Sequence, residues 1–285
     1  MHAPLPLPLA NLFTPMAADY NGFNFSKIRD ARERIMTVHL PAGPYELLTN
    51  KFPLFRKHML LVSKHLVPQQ MTPSHMKAIC QLIQACSFCA YFNSWCASAS
   101  VNHFHCHIID EYPPVTSYPL VCGPLVLGTR TLQPHGFPGF CYVFTVAQFS
   151  LVDAVIRAMQ AANQPHNLLF TPRGFIYIFP KPLERPSRSV ELYPETVGGP
   201  ELIGSFTVYR EDDYAALSCA SVEELVRINT APLPSPLLRR GGSGDGVDDG
   251  AVSGAVLPGT RVRVRASQSY DFFFHGPLSK VLAAA

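Results

Sequence analysis

The chain has 285 residues, of which 47% are hydrophobic and 15% are charged. This composition is typical of a globular protein with a substantial core, organised as one large domain or two small ones. The formal net charge of +3 argues against bulk binding of nucleic acid but permits a local anion pocket. The sequence has no uninterrupted run of about 18 apolar residues, so we expect no membrane span.

The N-terminal segment and the cysteines bear on where the protein works. Residues 1–22, read as an N-terminal extension, begin MHAPLPLPLANLFTP, which is broken by prolines and lacks the basic start of a signal peptide. Cys86 and Cys89 form a C-x-x-C pair at the end of a helix-like stretch, but a second pair does not follow, so a structural zinc site is weakly supported. Free thiols in a reducing cytosol, and hence a cytoplasmic protein, are the expectation.

The first part of the chain predicts mainly strands. FNFSKIRD (23–30) is interpreted as an entry strand and turn, and RIMTVHL (34–40) follows after a short polar segment. Residues 45–64 are interpreted as two strands joined by a basic, proline-containing connection. A helix is predicted to begin near Pro73, where Thr and Pro precede apolar residues at helical spacing.

The second part repeats this mixture. SYPLVCGPLVLGT and GFCYVFTV are typical of strands, and FSLVDAVIRAMQAAN of an amphipathic helix. HNLLFTPRGFIYIFP predicts a hairpin that turns at Pro172–Gly174. ELIGSFTVYR predicts a further strand, and SVEELVRINT a helix with Ser221 as its N-cap and Glu224 at the capping-box position.

The composition changes near Ala231. Residues 231–268 are rich in Gly, Pro, Ser and Asp and are assigned to a low-complexity linker, followed by a C-terminal tail at 269–285. This region contains Arg261, Arg263 and Arg265 at alternate positions, a pattern that fits either an edge strand or a tail that binds other molecules.

The most informative motif is SVNHFHCHIID, in which His103, His105 and His107 occupy alternate positions. Because side chains alternate between the faces of a strand, a strand here would project all three rings from one side. Such a row could ligate a metal such as zinc, with Asp110 and Glu111 as supporting groups, or could form a nucleophile with positioned helpers. The preceding small residues at 97–100 permit close backbone approach, and the serines add hydroxyl donors. The residues alone leave both alternatives open.

The histidine motif resembles that of the histidine-triad superfamily of nucleotide hydrolases and transferases. Within it the chain is most similar to the branch of GDP-D-glucose phosphorylase and plant GDP-L-galactose phosphorylase. The resemblance spans roughly residues 23 to 230, in family order, and NSWCASASVNHFHCH is its most specific stretch. The other resembling stretches are FNFSKI, LLTNKFPLFRKHMLLVSKHLVPQQMT, HNLLFTPRGFIYIFPKP and ELIGSFTVYREDDY.

The resemblance implies a fold and an extent. Residues 23–230 would form a nucleotidyltransferase domain of α+β class, with an antiparallel sheet, helices packed on one face and two related halves. The second half would lack its own triplet, leaving one active site per chain. The superfamily commonly dimerises, so a homodimer is a possible assembly.

The resemblance also implies residue roles. His105 would be the nucleophile, with His103 and His107 orienting it and contacting the phosphates. Asn50 and His58 match the superfamily's early Asn and His, of which the Asn typically meets the ribose. The phosphate site would be lined by Asn93, Ser98, Ser100 and Asn102.

The implied reaction is phosphorolysis of a GDP-hexose. His105 would attack the α-phosphorus and release hexose 1-phosphate, leaving a guanylyl-histidine that inorganic phosphate, as co-substrate, converts to GDP. The leaving phosphate is a stable anion, so a strong general acid is less necessary. A metal and a resident cofactor are not expected, and nucleic acid and membrane partners are not expected either.

One departure from the family pattern and the identity of the third histidine keep other functions open. Trp95-Cys96 stands where the family tends to have Leu-Gly, and a Cβ there could restrict the backbone or narrow the pocket. His107 matches the animal-type GDP-glucose enzymes, whereas plant enzymes and dinucleoside tetraphosphate phosphorylases carry Gln. The alternatives are a dinucleoside polyphosphate (Ap4A-type) phosphorylase or hydrolase, a catalytically weakened nucleotide-binding protein, and a zinc-dependent hydrolase.

Overall fold

A computed structural model of the protein describes residues 23–238 and a short strand at 263–266. The first half of the sheet is built from three strands, a helix and two more strands. In chain order these are β1 (Arg34–Leu40), β2 (Gly43–Thr49), β3 (Met59–Ser63), α1 (Pro73–Cys86), β4 (Cys89–Asn93) and β5 (His105–Ile109).

The second half repeats the same order of elements. It consists of β6 (Leu120–Val126), β7 (Thr129–Pro134), β8 (Tyr142–Thr145), α2 (Phe149–Ala161), β9 (His166–Phe170) and β10 (Phe175–Pro180). The two halves join into one ten-stranded sheet of order β1-β2-β3-β5-β4-β9-β10-β8-β7-β6. Each half therefore carries its strands in the same spatial order, and the halves meet where β4 pairs antiparallel with β9. The predicted α+β class, antiparallel sheet and two related halves are confirmed.

Alternating side chains give the sheet two apolar faces. On one face, Phe92, Ile108 and Leu168 pack with the buried sides of α1 and α2. On the other face, Tyr91, Leu169 and Tyr177 belong to a second cluster. Because both faces are covered, the central strands β3, β4 and β9 are almost wholly buried.

The second face is covered by the chain that follows β10. It contains α3 (Ser187–Leu192), α4 (Gly199–Leu202), β11 (Ser205–Val208), α5 (Glu211–Ala216) and α6 (Cys219–Ile228). Leu202, Phe206 and Leu225 lie in the same cluster as Tyr91. Helices were predicted over one face; α1 and α2 are there, and α4 and α6 cover part of the opposite face as well.

Local predictions were right for the long periodic segments. The helix near Pro73 begins at that residue with Thr72 as its N-cap, since the Thr72 hydroxyl accepts from the backbone N–H of His75. The hairpin at Pro172–Gly174 forms between β9 and β10. Its glycine has a φ of +80°, a conformation that glycine adopts without steric cost.

Four local predictions need correction. The segment 23–30 contains a 3-10 turn at Phe25–Lys27 rather than a strand, because the Asn24 side chain caps its start. The histidine strand begins only at His105. The last helix is capped by Ser218, and Ser221 lies in its first turn. Cys89 begins β4 instead of sharing a helix with Cys86.

The packed region continues beyond residue 230. Leu233 and Leu237 are buried in the same core cluster as α1 and α2, and the backbone N–H of Ala231 donates to the Pro180 carbonyl at 2.8 Å. The strand β12 (Arg263–Ala266) pairs in parallel with β11. The N-terminal extension at 1–22 and the tail at 269–285 lie outside the described residues.

Across residues 23–238, the helices are too short and too polar for any of them to span a membrane.

Candidate active site

His105 is the centre of the candidate site, and its ring is held in one tautomer. The residue begins β5 and its side chain is buried. Its Nδ1 lies 2.8 Å from the carbonyl oxygen of His103, so Nδ1 carries the hydrogen and donates. The lone pair is then on Nε2. Burial lowers the pKa of His105 to about 4, so the ring is neutral at pH 7.

His103 positions this ring without offering a nitrogen of its own. It lies just before β5, and its Nε2–H donates to the carbonyls of Ser63 at 2.8 Å and His65 at 3.1 Å. Its Nδ1 accepts from the backbone N–H of Phe25. Both nitrogens are therefore committed to backbone groups. The His103 carbonyl orients His105, and the predicted phosphate contact by the His103 ring would require it to give up one of these backbone partners.

His107 belongs to a buried relay of imidazoles. The backbone N–H of Leu54 donates to Nδ1 of His58 at 3.0 Å, so His58 carries its hydrogen on Nε2. That nitrogen is 2.9 Å from Nδ1 of His107, which therefore accepts and carries its own hydrogen on Nε2. Tyr91 stacks on the His107 ring at 4.2 Å between centres, and Asn50 Nδ2 is 3.1 Å from His58 Nε2.

The histidines of this site are all driven toward the neutral form. Burial lowers the pKa of His58 to about 3. Burial, together with His58 and His105, lowers the pKa of His107 well below its usual value. Burial also lowers the pKa of His103. Neutral imidazoles act as nucleophiles and as uncharged hydrogen-bond donors, which is the condition that covalent catalysis by histidine requires.

Gln69 is a buried residue that the sequence did not single out. Its side-chain oxygen accepts from the His105 N–H at 2.8 Å, and its Nε2 donates to the carbonyls of Asn93 and His105, both at 2.9 Å. Its own backbone N–H donates to the Asn102 side chain at 3.0 Å. Gln69 thus bridges β4 and β5 next to the Tyr91–His107 pair, where the strand ladder stops. The only available signal was its place within the family-like stretch 47–72.

The predicted phosphate-site residues separate into different roles. The Asn93 side-chain oxygen accepts from Asn167 at 2.8 Å and from the Gly199 N–H at 3.2 Å, so this amide faces the interior. Asn102 holds Gln69. The Ser98 hydroxyl donates to the Val197 carbonyl at 3.5 Å, whereas Ser100 is exposed. Gln69 therefore connects Asn93 and Asn102 to His105 by hydrogen bonds. The Ser98 side chain instead faces the segment at 197–199.

The turn between β4 and β5 explains why glycine is favoured within it. Cys96 has a φ of +65° and Ser98 a φ of +76°, both in the left-handed region. A side chain in this region costs about 1–2 kcal/mol relative to glycine. Cys96 therefore adds local strain to the turn that leads into β5.

The segment Val197–Gly199 packs tightly against that turn. A Cβ on Gly199 would lie 2.4 Å from Asn93 Oδ1, and one on Gly198 would lie 2.7 Å from the Cβ of Ser98. Buried Lys181 donates to the Val197 carbonyl, and buried Glu201 accepts from the Gly198 N–H at 2.8 Å. Burial lowers the pKa of Lys181 to about 8 and raises that of Glu201 to about 7. The Gly199 N–H thus ties residues 197–199, here called the covering segment, to Asn93 at the end of β4, and Lys181 ties them to the end of β10.

A cavity of about 180 Å³ opens beside His103. Its apolar wall is formed by Phe25, Leu48 and Val62, and the Phe25 ring lies 5.0 Å from that of His105. Its polar wall is formed by Arg34, Glu46 and Lys64. An apolar slot next to a nucleophile suits a planar group such as a nucleobase.

Glu46 is held ionised in this wall. Burial opposes ionisation, but hydrogen bonds from Lys64, Thr37 and Arg34 outweigh it and lower the pKa of Glu46 to about 2. The Lys64–Glu46 and Arg34–Glu46 distances are 2.8 Å and 2.9 Å. The cavity therefore presents a permanent carboxylate flanked by two cations.

The geometry does not favour the zinc-hydrolase alternative. Among residues 23–238, a group of three or more His, Cys, Asp or Glu side chains placed to hold a metal ion is not found. Both nitrogens of His103 are occupied, and Asp110 pairs with Lys57 at 2.7 Å.

Comparison with known proteins gives two findings. Residues 13–109 match the family model described as "GDPGP1-like, N-terminal domain", and this match ends with the last residue of β5. It includes the histidine row, Asn50, His58 and Gln69. Curated protein sequences yield no match to this chain.

The structure is similar to that of yeast Ap4A phosphorylase Apa2. The free enzyme aligns with a TM-score of 0.51 and 17% identity, covering 66% of this chain and 74% of that one. Its complex with AMP aligns with a TM-score of 0.50 and 19% identity, covering 67% and 74%. At this identity the similarity shows a shared fold.

Proposed function

We propose that the protein is a nucleotidyltransferase that cleaves the pyrophosphate of a GDP-hexose by phosphorolysis. The observation that carries this proposal is the hydrogen bond from His105 Nδ1 to the His103 carbonyl. It places the lone pair on Nε2 of a neutral, buried imidazole, which is the form that attacks phosphorus.

The first chemical step forms a phosphorus–nitrogen bond. His105 Nε2 attacks the α-phosphorus, the bond from that phosphorus to the bridging oxygen breaks, and hexose 1-phosphate leaves with the bonding electrons. The imidazole becomes positively charged as the bond forms. The His103 carbonyl, already accepting from Nδ1–H, stabilises that charge.

The second step returns the histidine to its neutral form. Inorganic phosphate attacks the guanylyl group, the phosphorus–nitrogen bond breaks, and GDP is released. In this scheme the Nε2–H of His107 donates to a phosphate oxygen, because the relay from Leu54 through His58 fixes the hydrogen on that nitrogen.

Guanine is favoured by the polar wall of the cavity. Guanine presents two adjacent donors on its Watson–Crick edge. Both oxygens of the ionised Glu46 already accept from Thr37 and from the two cations of the wall, so guanine would bind this carboxylate by displacing some of these donors. Adenine lacks guanine's pair of donors. Phosphorolysis of GDP-glucose and of Ap4A should therefore be compared in the wild type and in Glu46→Gln. We expect GDP-glucose to react with the higher kcat/KM, and the preference to fall about tenfold in the variant; a wild-type preference for Ap4A would reject the guanine assignment.

A second candidate is a dinucleoside polyphosphate phosphorylase. It is favoured by the fold shared with yeast Ap4A phosphorylase, and it would use the same His105 chemistry. The same comparison of substrates decides between the two. A third candidate, the nucleotide-binding protein with weakened catalysis, would bind GDP-glucose without releasing GDP when phosphate is added.

A further inference from the structure

The second half of the sheet contains a cavity that, like the one beside His103, is lined in part by the 3-10 turn that begins its half. Each half begins with a 3-10 turn that leads into its first strand, Phe25–Lys27 before β1 and Pro114–Ser117 before β6. The first cavity is lined by Phe25 and Ser26 of the first turn and by His103, which lies two residues before β5. The second cavity, of about 170 Å³, is lined by Thr116 of the second turn and by Phe175 at the start of β10.

β10 is the counterpart of β5, since each is the last strand of its half and pairs with the strand before it. Three histidines lie in β5 and just before it. At alternate positions β10 instead carries Phe175, Tyr177 and Phe179. Tyr177 and Phe179 belong to the same apolar cluster as Tyr91 and therefore lie on the face that carries the histidines. The second cavity thus lies beside aromatic residues that stand where the first half carries histidines, and it lacks a histidine nucleophile.

The lining of the second cavity suits a planar ring attached to an anion. Tyr112, Tyr118 and Phe175 supply aromatic surface, and Tyr177 forms a buried part of the wall. The Arg173 guanidinium lies 4.9 Å from the centre of the Tyr112 ring, at the mouth formed by the β9–β10 turn. Aromatic faces bind bases by stacking, and a guanidinium binds phosphate oxygens through bidentate hydrogen bonds.

We propose that this second cavity is a non-catalytic binding site for a purine nucleoside phosphate. β10 is separated from β5 by β4 and β9, so the two rows lie roughly 14 Å apart at ordinary strand spacing. A mononucleotide bound there would not reach His105. The site is therefore additional to the catalytic one and able to hold a nucleotide while the catalytic site turns over.

The test is a calorimetric titration with GMP, which has no pyrophosphate bond to cleave. We expect two GMP molecules per chain in the wild type, and one of the two affinities weakened at least tenfold in Arg173→Ala. Tyr112→Leu, at an exposed position, should weaken the same affinity. Arg157→Ala removes an exposed arginine from α2 and should leave both affinities unchanged.

Titrations with ribose 5-phosphate and inorganic phosphate distinguish a nucleotide site from a simple anion site. Binding of either at the Arg173-dependent site as tightly as GMP would overturn the proposal. The proposal would also be overturned if Arg173→Ala left every GMP affinity unchanged, whether the chain binds one GMP molecule or two. A single site abolished by Arg173→Ala would support the second cavity and count against the proposed catalytic pocket, so the two proposals fail separately.

Discussion

The His105 ring and backbone are held by backbone and amide groups on which its proposed reactivity would depend. The His103 carbonyl selects the tautomer, and Gln69 fixes the backbone on both sides of the nucleophile. His105 was predicted to be the nucleophile from the family resemblance, because the alternation of histidines alone also allowed a metal site. The bridge by Gln69 was not predictable, because it joins residues distant in sequence and a buried glutamine carries no periodic signal.

Replacing Gln69 should disable the site more than it destabilises the fold. Gln69→Leu leaves the His105 N–H and the Asn93 and His105 carbonyls without this partner. We expect a loss of about 2–3 kcal/mol in the free energy of unfolding, and at least a tenfold fall in kcat. Urea denaturation and turnover with GDP-glucose measure the two effects. The account would be wrong if the variant kept wild-type turnover.

The strain at Cys96 predicts a contrast between two substitutions. Its φ of +65° suits glycine and opposes a β-branched side chain. Cys96→Val should lower the free energy of unfolding by about 1–3 kcal/mol, whereas Cys96→Gly should leave it within about 1 kcal/mol of the wild type. Thermal unfolding of both variants checks this. Equal effects of the two substitutions would show that the backbone there relaxes.

At the level of elements, the sequence predicted the strands and helices that carry a clear period. α1, α2 and the β9–β10 hairpin form where expected. The segment at 23–30 was misread because its alternation of Phe and polar residues mimics a strand, while Asn24 caps a turn. The covering segment at 197–199 was not foreseen, since its fit rests on glycines that are close to Asn93 and Ser98 only in three dimensions.

That fit can be tested by adding one methyl group. Gly199→Ala places a Cβ 2.4 Å from Asn93 Oδ1 and 2.8 Å from Tyr91 Cδ2. We expect destabilisation by about 1–3 kcal/mol from overpacking. In a double-mutant cycle, Asn93→Ala and Gly199→Ala should cost less together than the sum of the single changes. Strict additivity would show that the two residues do not share a contact.

For the whole molecule, the buried histidines predict sensitivity to acid. His75, His105 and His166 have pKa values lowered by burial to about 4, against about 6.5 in an unfolded chain. Between these values the unfolded chain binds more protons than the folded one. Stability is therefore fully present above about pH 6.5 and is lost as the pH falls toward 4.

Removing one buried histidine should flatten this dependence. His75 stacks on Phe104 and hydrogen-bonds to the Tyr45 hydroxyl, away from the catalytic row. His75→Gln should reduce the slope of unfolding free energy against pH by roughly 1 kcal/mol per unit between pH 6 and pH 5. The matched control is His135→Gln, at an exposed position. Identical slopes in all three proteins would contradict the assignment of buried neutral histidines.

The repeat of two similar halves was predicted from the resemblance and is confirmed by the strand order. Only one half carries the histidine row, because β10 has aromatic residues where β5 has histidines. The central claim is therefore that a single residue, His105, carries the nucleotidyl group.

Intact-protein mass spectrometry after mixing with GDP-glucose in the absence of phosphate determines whether His105 carries this group. We expect one guanylyl adduct per chain in the wild type, none in His105→Ala, and discharge of the adduct as GDP when phosphate is added. An adduct that persists in His105→Ala, or release of GDP without any adduct in the wild type, would contradict this role of His105.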